Sequence, residues 1–401
     1  MSYIFKNRAC VFFIFLFDLI GGLIFLPFVI FRKKRPGNVA NILVIRLDDT
    51  SNVIFSTVAV SNLKAHYKGA KVTILTSSFA RDVVIDNPII DEIICYDAPW
   101  FCKRTGAGFS LSGFLKLANE LKGHSYDLGI DLKGDIRHIF LMALAGVRFR
   151  VGYGITGGGF LLHRAAGYNP CAHDIERGLC LLKEIPVGIT DDRPRLYVSE
   201  ASQAAAGRIL ADAEIRDGDF LTVMHTVADC ESKSWFDRKF AALAGVIRRQ
   251  YDVRIILIGD EGDKRRNDEI ARLSGADIVN ACGKGSFQIM AALIKRSSLF
   301  IGIDGLPGRL AALQGVPSVT LCSSAWSGDE WSGIGERVIR MRKDISCKGC
   351  GISDCAQNIC MDLISVDDVV ESVKDILGVK RDTVQGPDSL TLNYEAAKQV
   401  R

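Results

Sequence analysis

One segment of the sequence places two adjacent carboxylates directly after an apolar run that is typical of a strand. This segment is Arg46–Asn52 (RLDDTSN), in which Asp48 or Asp49 could take a proton from an incoming hydroxyl group. The same residues could instead cap the helix that follows, because Asp, Ser and Asn are good N-caps. The residues alone leave both interpretations open.

Two further segments have the residue types that bind phosphate. In His225–Trp235 (HTVADCESKSW), Lys233 could hold a phosphate group as a point charge, although a solvated loop lysine would look the same. In Gly302–Ala312 (GIDGLPGRLAA), Asp304 precedes a helix that carries Arg309 on its first turn. Free N–H groups and the dipole at such a helix start favour an anion such as a diphosphate, unless the segment is an ordinary capped helix.

Short β-rich runs alternate with amphipathic stretches from Asn41 onwards, which predicts parallel βαβ units in doubly wound sheets. In the first half, strands are predicted at 42–46, 72–76, 92–96, 127–132 and 150–153, the last of that half, and helices at 53–67, 111–122 and 136–145. In the second half, strands are predicted at 220–225, 254–258, 277–280, 299–303 and 318–321, and helices at 238–250, 264–273, 287–295, 307–314 and 366–377.

The fold class is therefore predicted to be α/β, with two Rossmann-like domains at residues 39–195 and 196–380. Such sheets bind ligands at the carboxyl ends of their strands, so we expect the three segments to face a cleft between the domains. Residues 1–38 are predicted to be a membrane anchor with a basic flank, and residues 381–401 a mobile tail.

The predicted anchor is the apolar run at residues 9–31, which contains a single charged residue, Asp18. This run is long enough to cross a hydrocarbon core of about 30 Å as one helix. Lys6 and Arg8 precede it and the four bases 32–35 follow it, which predicts that the bulk of the chain lies on the cytoplasmic side of an inner membrane. Asp18, Gly21–Gly22 and Pro27 interrupt the pattern and leave open a re-entrant or interfacial anchor, or a buried core helix.

Composition and motifs exclude several common classes. Apolar residues make up 48% of the chain and the net charge is only +4, which argues against a disordered protein and against a nucleic-acid partner. The first strand is not followed by a G-x-G-x-x-G motif, and the chain has no Walker A motif and no G-x-S-x-G elbow.

An ordered set of segments over residues 41–377 resembles glycosyltransferase family 9, the ADP-heptose:lipopolysaccharide heptosyltransferase group. The matching segments are ILVIRLDDTSNVIFSTVAVSNLKAHYKGAKVTILTSSFA, YDLGIDLKGDIRHIFLMALAGVRFRVGYG, SKSW, LIGDEGD and IGIDGLPGRLAALQGVPSVTL. The resemblance implies a GT-B fold and an inverting, metal-independent transfer of a sugar. The donor would be a nucleotide-diphosphate sugar, with ADP-heptose as the first candidate, and the acceptor would be a lipid-linked saccharide.

The resemblance also implies roles for particular residues. By position, the donor-binding residues would be Lys233, Glu261, Asp304, Gly305 and Arg309. Basic residues of the acceptor side would be Lys133, Arg137 and Arg148, each of which could equally be a solvated surface charge.

The chain departs from the family pattern at two places. The general-base Asp of the family falls on Asn52, and an amide cannot act as a base near neutral pH. The third segment has Arg309 where the family has His. Either Asp48 or Asp49 takes over proton abstraction, or the chain is a weak or inactive paralogue that binds a nucleotide sugar in the same pathway. A transferase with a small soluble acceptor is a third hypothesis.

Four cysteines lie within 14 residues, at Cys347, Cys350, Cys355 and Cys360. Four thiols at this spacing could surround one structural zinc ion, and an iron–sulfur centre uses the same ligands. Free thiols and, less readily in a cytoplasmic setting, disulfides are the alternatives. No cofactor is expected for the transfer itself.

Overall fold

The computed structural model describes residues 3–5, 7–31, 35–101, 109–170, 172–326 and 335–383 of the chain. The chain divides into two compact units, Met1–Tyr197 and Val198–Arg401. This boundary lies two residues after the one predicted from the sequence.

The first unit contains a parallel sheet of six strands, and its β1 is buried at four of five positions because apolar residues fill the run. Its strands are β1 Asn41–Ile45, β2 Lys71–Thr76, β3 Glu92–Cys95, β4 Leu128–Asp131, β5 Phe149–Gly152 and β6 Arg164–Ala165. Its helices are α1 Arg8–Ile24, α2 Leu26–Phe31, α3 Thr50–His66, α4 Leu111–Gly123, α5 Ile136–Leu144 and α6 Asp174–Lys183. The strand order β3-β2-β1-β4-β5-β6 reverses between β1 and β4, which is where such sheets bind ligands.

The second unit repeats this plan. Its strands are β7 Phe220–His225, β8 Val253–Ile258, β9 Ile278–Asn280, β10 Leu299–Ile303, β11 Ser318–Leu321 and β12 Val338–Met341. Its helices are α7 Glu200–Asp212, α8 Asp237–Gln250, α9 Lys264–Ser274, α10 Phe287–Arg296, α11 Leu306–Leu313, α12 Ile359–Asp362 and α13 Val366–Thr383. The strands are parallel in the order β12-β11-β10-β7-β8-β9, so the reversal lies between β7 and β10.

Every strand predicted from the sequence is present, with ends that shift by at most one residue. Five elements were missed, namely β6, β12, α6, α7 and α12. The prediction that 150–153 is the last strand of the first half was wrong, because β6 pairs with β5 after a glycine-rich turn. Two residues of strand are too few to give an alternating pattern in the sequence.

The prediction of one membrane-spanning helix is not supported. The apolar run forms α1 and the short α2, and among the described residues no helix is both long enough and apolar enough to cross a membrane. The helix is interrupted at Phe25 (φ −92°, ψ 17°). Pro27 explains the break, because proline has no N–H group to continue the ladder and its ring clashes with the carbonyl group four residues earlier.

Two parts of the sequence predictions fall wholly or partly outside the described residues. They are Lys6 with Arg32–Lys34 of the basic flank, and residues 384–401 of the predicted mobile tail. Residues 381–383 at the start of that predicted tail belong to α13.

Candidate functional site

The carboxyl ends of β1 and β4 bring the first site segment together with Lys133. These strands are adjacent, and Ile45 lies opposite Asp131 in the register. Asp48 is 8% exposed and lies 3.1 Å from Arg46 Nη2 and 3.3 Å from Lys133 Nζ. Burial raises the pKa of Asp48, but the two cations and the Asp49 N–H group outweigh it, so the pKa lies below its usual value. Asp48 is therefore an ionised anchor for two cations.

Asp49 and Asn52 lie at the start of α3. Asp49 is the N-cap residue of α3, as the capping interpretation predicts. Its carboxylate, however, makes no N-cap hydrogen bond to the helix. The Asp49 side chain is exposed, whereas Asn52, on the first turn of α3, is partly buried. The structure thus places an accessible carboxylate next to the position where the family has its base.

Lys133 is held in place by the loop between β4 and α5. The fully buried Asp131 accepts hydrogen bonds from the N–H groups of Gly134 (3.0 Å) and Asp135 (2.9 Å), and it pairs with His138 Nδ1 (2.9 Å). These contacts fix the loop, so that Lys133 Nζ reaches the Leu47 carbonyl group (3.1 Å) as well as Asp48.

The other two predicted acceptor-side residues lie at opposite edges of the sheet. Arg137 forms an ion pair with the helix-capping Asp135 and lies over the Trp100 ring at 4.4 Å. Arg148 precedes β5 and pairs with Asp127, which precedes β4. Arg148 therefore lies at the amino edge of the sheet, opposite to Asp48, and the structure does not bring it to the site. Arg137, on the first turn of α5, lies at the carboxyl edge, four residues after Lys133.

In the second unit, three adjacent strands carry the predicted donor residues at their carboxyl ends. His225 at the end of β7 lies opposite Gly302 of β10 on one side and Ile258 of β8 on the other. The loops after these strands contain Lys233, Asp304 and Glu261. The topology thus brings Lys233 and Asp304, which lie some 70 residues apart in the sequence, to the same carboxyl edge of the second sheet.

Lys233 lies between an acid and an aromatic ring. Its Nζ pairs with Asp229 at 2.9 Å and lies 5.6 Å from the centre of the Trp326 ring. The Trp326 indole N–H group donates to Ser232 at 3.4 Å, which ties the ring to the same loop. The Lys233 side chain is 20% exposed, so its charge is accessible to an anion without large motion.

Asp304 and Arg309 occupy the turn into α11. Asp304 follows β10 and pairs with Arg340 of β12 at 3.7 Å. Gly305 is the N-cap residue of α11, and the partly buried Arg309 lies on the turn that follows. The helix start therefore offers N–H groups with the Arg309 guanidinium one turn away, which suits a diphosphate.

Glu261 lies after β8 in a tight turn. Asp263 accepts a hydrogen bond from the Asp260 N–H group at 2.8 Å and closes a capping box. Gly283 has φ +71°, and a side chain there would clash with the Glu261 carboxylate. A glycine at position 283 therefore lets Glu261 keep its position.

His225 makes stability depend on pH. Burial lowers the pKa of His225 to about 4, against 6.5 in the unfolded chain. Between pH 4 and pH 6.5 the unfolded chain binds the His225 proton more readily than the folded chain does. The stability that neutral His225 contributes to the folded state is therefore complete above pH 6.5 and is lost as the pH falls toward 4. We expect the free energy of unfolding to fall by about 1–2 kcal/mol between pH 7 and pH 5 on this account. Urea unfolding of His225→Gln should show a smaller loss, and an equal loss would contradict this assignment.

The four clustered cysteines are not assembled into one centre. Cys347 and Cys350 are exposed, whereas Cys360 is buried with its Sγ 3.4 Å from Ser323 Oγ. Within the described ranges, no group of three or more His, Cys, Asp or Glu side chains is placed to hold a metal ion. The structural metal therefore remains a prediction from the cysteine spacing.

Sequence reasoning missed the partners that shape both clusters. Arg46 pairs with Asp174 of α6 at 2.6 Å, although the two are 128 residues apart. Arg340 and Trp326 likewise reach Asp304 and Lys233 only through the fold. The Asp-x-x-Arg spacing of α6, for which no helix was predicted, was the one local signal.

Comparison with known proteins supports this reading of the chain. The sequence profile of glycosyltransferase family 9 (heptosyltransferase) matches residues 114–358, more than half of the chain. Lipopolysaccharide heptosyltransferase 3 of Escherichia coli K12 is 27% identical over 281 residues, which are 67% of this chain and 78% of that protein.

Two solved structures have the same fold. A family 9 glycosyl transferase from Veillonella parvula DSM 2008 has a TM-score of 0.73 and 20% identity, with 86% of this chain and 99% of that one covered. E. coli ADP-heptose lps heptosyltransferase II has a TM-score of 0.66 and 18% identity, with 85% and 99% covered. With the profile match and the two α/β units, these findings establish that the chain is a transferase enzyme that belongs to glycosyltransferase family 9.

Proposed function

We propose that the protein transfers a heptose from ADP-heptose to a saccharide of the lipopolysaccharide core. The observation that carries the proposal is a pair of cations in the second unit. Lys233 follows β7, Arg309 lies on α11 after β10, and these two strands are adjacent in the sheet. The names of the similar E. coli proteins, which refer to ADP-heptose and to lipopolysaccharide, supply the substrate class.

The proposed reaction is a single displacement with inversion at the anomeric carbon. The acceptor oxygen forms a bond to that carbon while the bond from carbon to the phosphate oxygen breaks, and ADP leaves with the electron pair. The acceptor proton passes to a carboxylate, for which Asp49 is the candidate because it is exposed at the carboxyl edge of the first sheet.

In this proposal the negative charge that develops on the diphosphate is stabilised by Lys233, Arg309 and the N–H groups at the start of α11. These groups are part of the chain, so we expect the transfer to need no divalent metal ion. Asp48 and Lys133 would order the acceptor side, since their ion pair fixes the β1 and β4 loops together.

The direct test is transfer with purified full-length protein. We expect ADP release from ADP-heptose in the presence of heptose-deficient lipopolysaccharide, a product heavier by one heptose, and an unchanged rate in EDTA. UDP-glucose and GDP-mannose serve as donor controls and should react at least about 100-fold more slowly. A faster reaction with either control would overturn the donor assignment, and inversion is checked by NMR of the new glycosidic bond.

A second candidate function is nucleotide-sugar binding with little turnover, which the amide of Asn52 at the family's base position favours. Donor binding in a thermal-shift assay, without release of ADP with any core acceptor, would support that alternative over the transfer.

A further inference from the structure

The helix pair at the amino terminus has one face bound to the first unit. Asp18 accepts hydrogen bonds from the Gly158 N–H group (2.7 Å) and the Tyr3 hydroxyl group (2.9 Å). Gly21 lies directly against the Phe160 ring, and Phe17 and Phe25 contact the same ring at 5.8 Å and 5.5 Å. The carboxylate that interrupts the apolar run is therefore part of an interface within the protein.

The opposite face of α1 is covered by large apolar side chains that contact solvent. Their exposed fractions range from 39% to 69%, and exposed apolar side chains grouped on one face mark a surface that binds a partner or a membrane. We call this set the outer face; its residues are Phe12, Phe13, Phe15, Leu16, Leu19, Ile20, Leu23 and Ile24. Ile30 and Phe31 of α2 are also exposed, at 63% and 83%.

Charge at the two ends of the helix pair indicates what covers this face. Arg8 at the start of α1 and Arg35 after α2 are both exposed. The sequence adds Lys6 before the pair and Arg32, Lys33 and Lys34 after it, and residues 6–35 contain one acid, the internally bound Asp18. Aromatic and aliphatic residues flanked by bases are the composition of segments that lie in the surface of an anionic bilayer.

The length of α1 agrees with this placement. At a rise of about 1.5 Å per residue, its 17 residues extend about 25 Å, short of the hydrocarbon thickness of about 30 Å. The contacts of Asp18 and Gly21 also keep the helix against the first unit, which a membrane-crossing helix would have to leave.

We propose that α1 and α2 form an in-plane membrane-binding surface, with the outer face in the headgroup region of an anionic bilayer and the Asp18 face on the first unit. The surface would bind the enzyme to the membrane leaflet from one side, without crossing it. The inference does not depend on which sugar is transferred, and it replaces the spanning helix predicted from the sequence.

Flotation of the full chain with vesicles tests the proposal. We expect most of the protein to float with phosphatidylglycerol/phosphatidylethanolamine vesicles, and several-fold less to float with neutral phosphatidylcholine vesicles. Phe13→Glu with Leu23→Glu should reduce flotation at least about tenfold. The matched control is Leu273→Glu with Ile352→Glu, which changes two exposed apolar residues of the second unit and should float like the parent. Thermal melting checks that both variants are folded.

Three outcomes would overturn the proposal. One is flotation that the Phe13→Glu, Leu23→Glu variant retains. Another is a lipid-free dimer that this variant dissociates, with no vesicle binding by the parent, since the outer face would then bind a second copy. The third is protease protection of an N-terminal tag inside sealed vesicles, which would show that the helix pair crosses the membrane.

Asp18→Leu distinguishes in-plane binding from a membrane-spanning helix further. If α1 lies in the membrane plane, the variant should expose α1 to limited proteolysis, whereas it should improve the insertion of a spanning helix.

Discussion

Replacement of Lys233 by alanine is expected to lower kcat/KM for the donor by about 100- to 1,000-fold. The reason is that Lys233 is the accessible cation at the carboxyl end of β7, where it would neutralise charge on the departing diphosphate. In the present structure its partner is Asp229, a 72% exposed side chain that an incoming phosphate could displace. Steady-state kinetics with ADP release measure the effect.

Two comparison variants make this result specific. Lys295→Ala removes an exposed lysine of the same unit on α10 and should leave kcat/KM within about twofold, because exposed surface charges contribute little. Lys233→Arg keeps the charge and should recover part of the loss, though not all, since the two cations differ in shape. A Lys233→Ala enzyme with normal kcat/KM would remove Lys233 from the donor site.

Asp49→Asn is expected to lower kcat by about 100-fold or more while donor affinity stays within about twofold. Its physical reason is that an amide cannot accept the acceptor proton, whereas donor binding depends on the second unit. Thermal-shift titration with ADP measures donor affinity, and product formation measures kcat. A normal kcat would exclude Asp49 as the base.

Asp48→Asn is the matched control for the same loop and should act differently. Asp48 is buried between Arg46 and Lys133 and its pKa is lowered, so it is a weak base, and its loss leaves a buried cation with one fewer partner. We expect a loss of about 2 kcal/mol in the free energy of unfolding, because Asp174 still pairs with Arg46. Since the pKa is lowered in the folded state, this stabilisation is present above about pH 4 and is lost on acidification.

The assignment of strands and helices could be predicted well because each is a local pattern. The runs at β1, β7 and β10 are short, apolar and followed by polar loops, which is the pattern of a buried parallel strand before its site loop. Helices such as α5 and α9 alternate with them at regular intervals. The three candidate site segments were predicted from residue type alone, since carboxylates, a lysine and a helix start follow those strands.

Errors arose where the deciding contact lies far away in the sequence. The run at 9–31 has the composition of a spanning helix, and only the contacts of Asp18 with Gly158 and of Gly21 with Phe160 show that it packs on the first unit. Arg148 was predicted as a basic residue of the acceptor side, but its position before β5 places it at the opposite edge of the sheet.

The amino-acid sequence by itself determined the two α/β units, their strand order along the chain and the chemistry available at their loops, because periodicity and residue type are local properties. Only the tertiary structure decided which charges meet. The pairs of Arg46 with Asp174, Lys133 with Asp48 and Arg340 with Asp304 each join separate elements. Because Asp48 is buried against Arg46 and Lys133 whereas Asp49 is exposed, the structure also selects Asp49 as the accessible carboxylate. Hydrophobicity indicates that a segment avoids water, but whether protein or lipid covers each of its faces depends on contacts that form after the chain has folded.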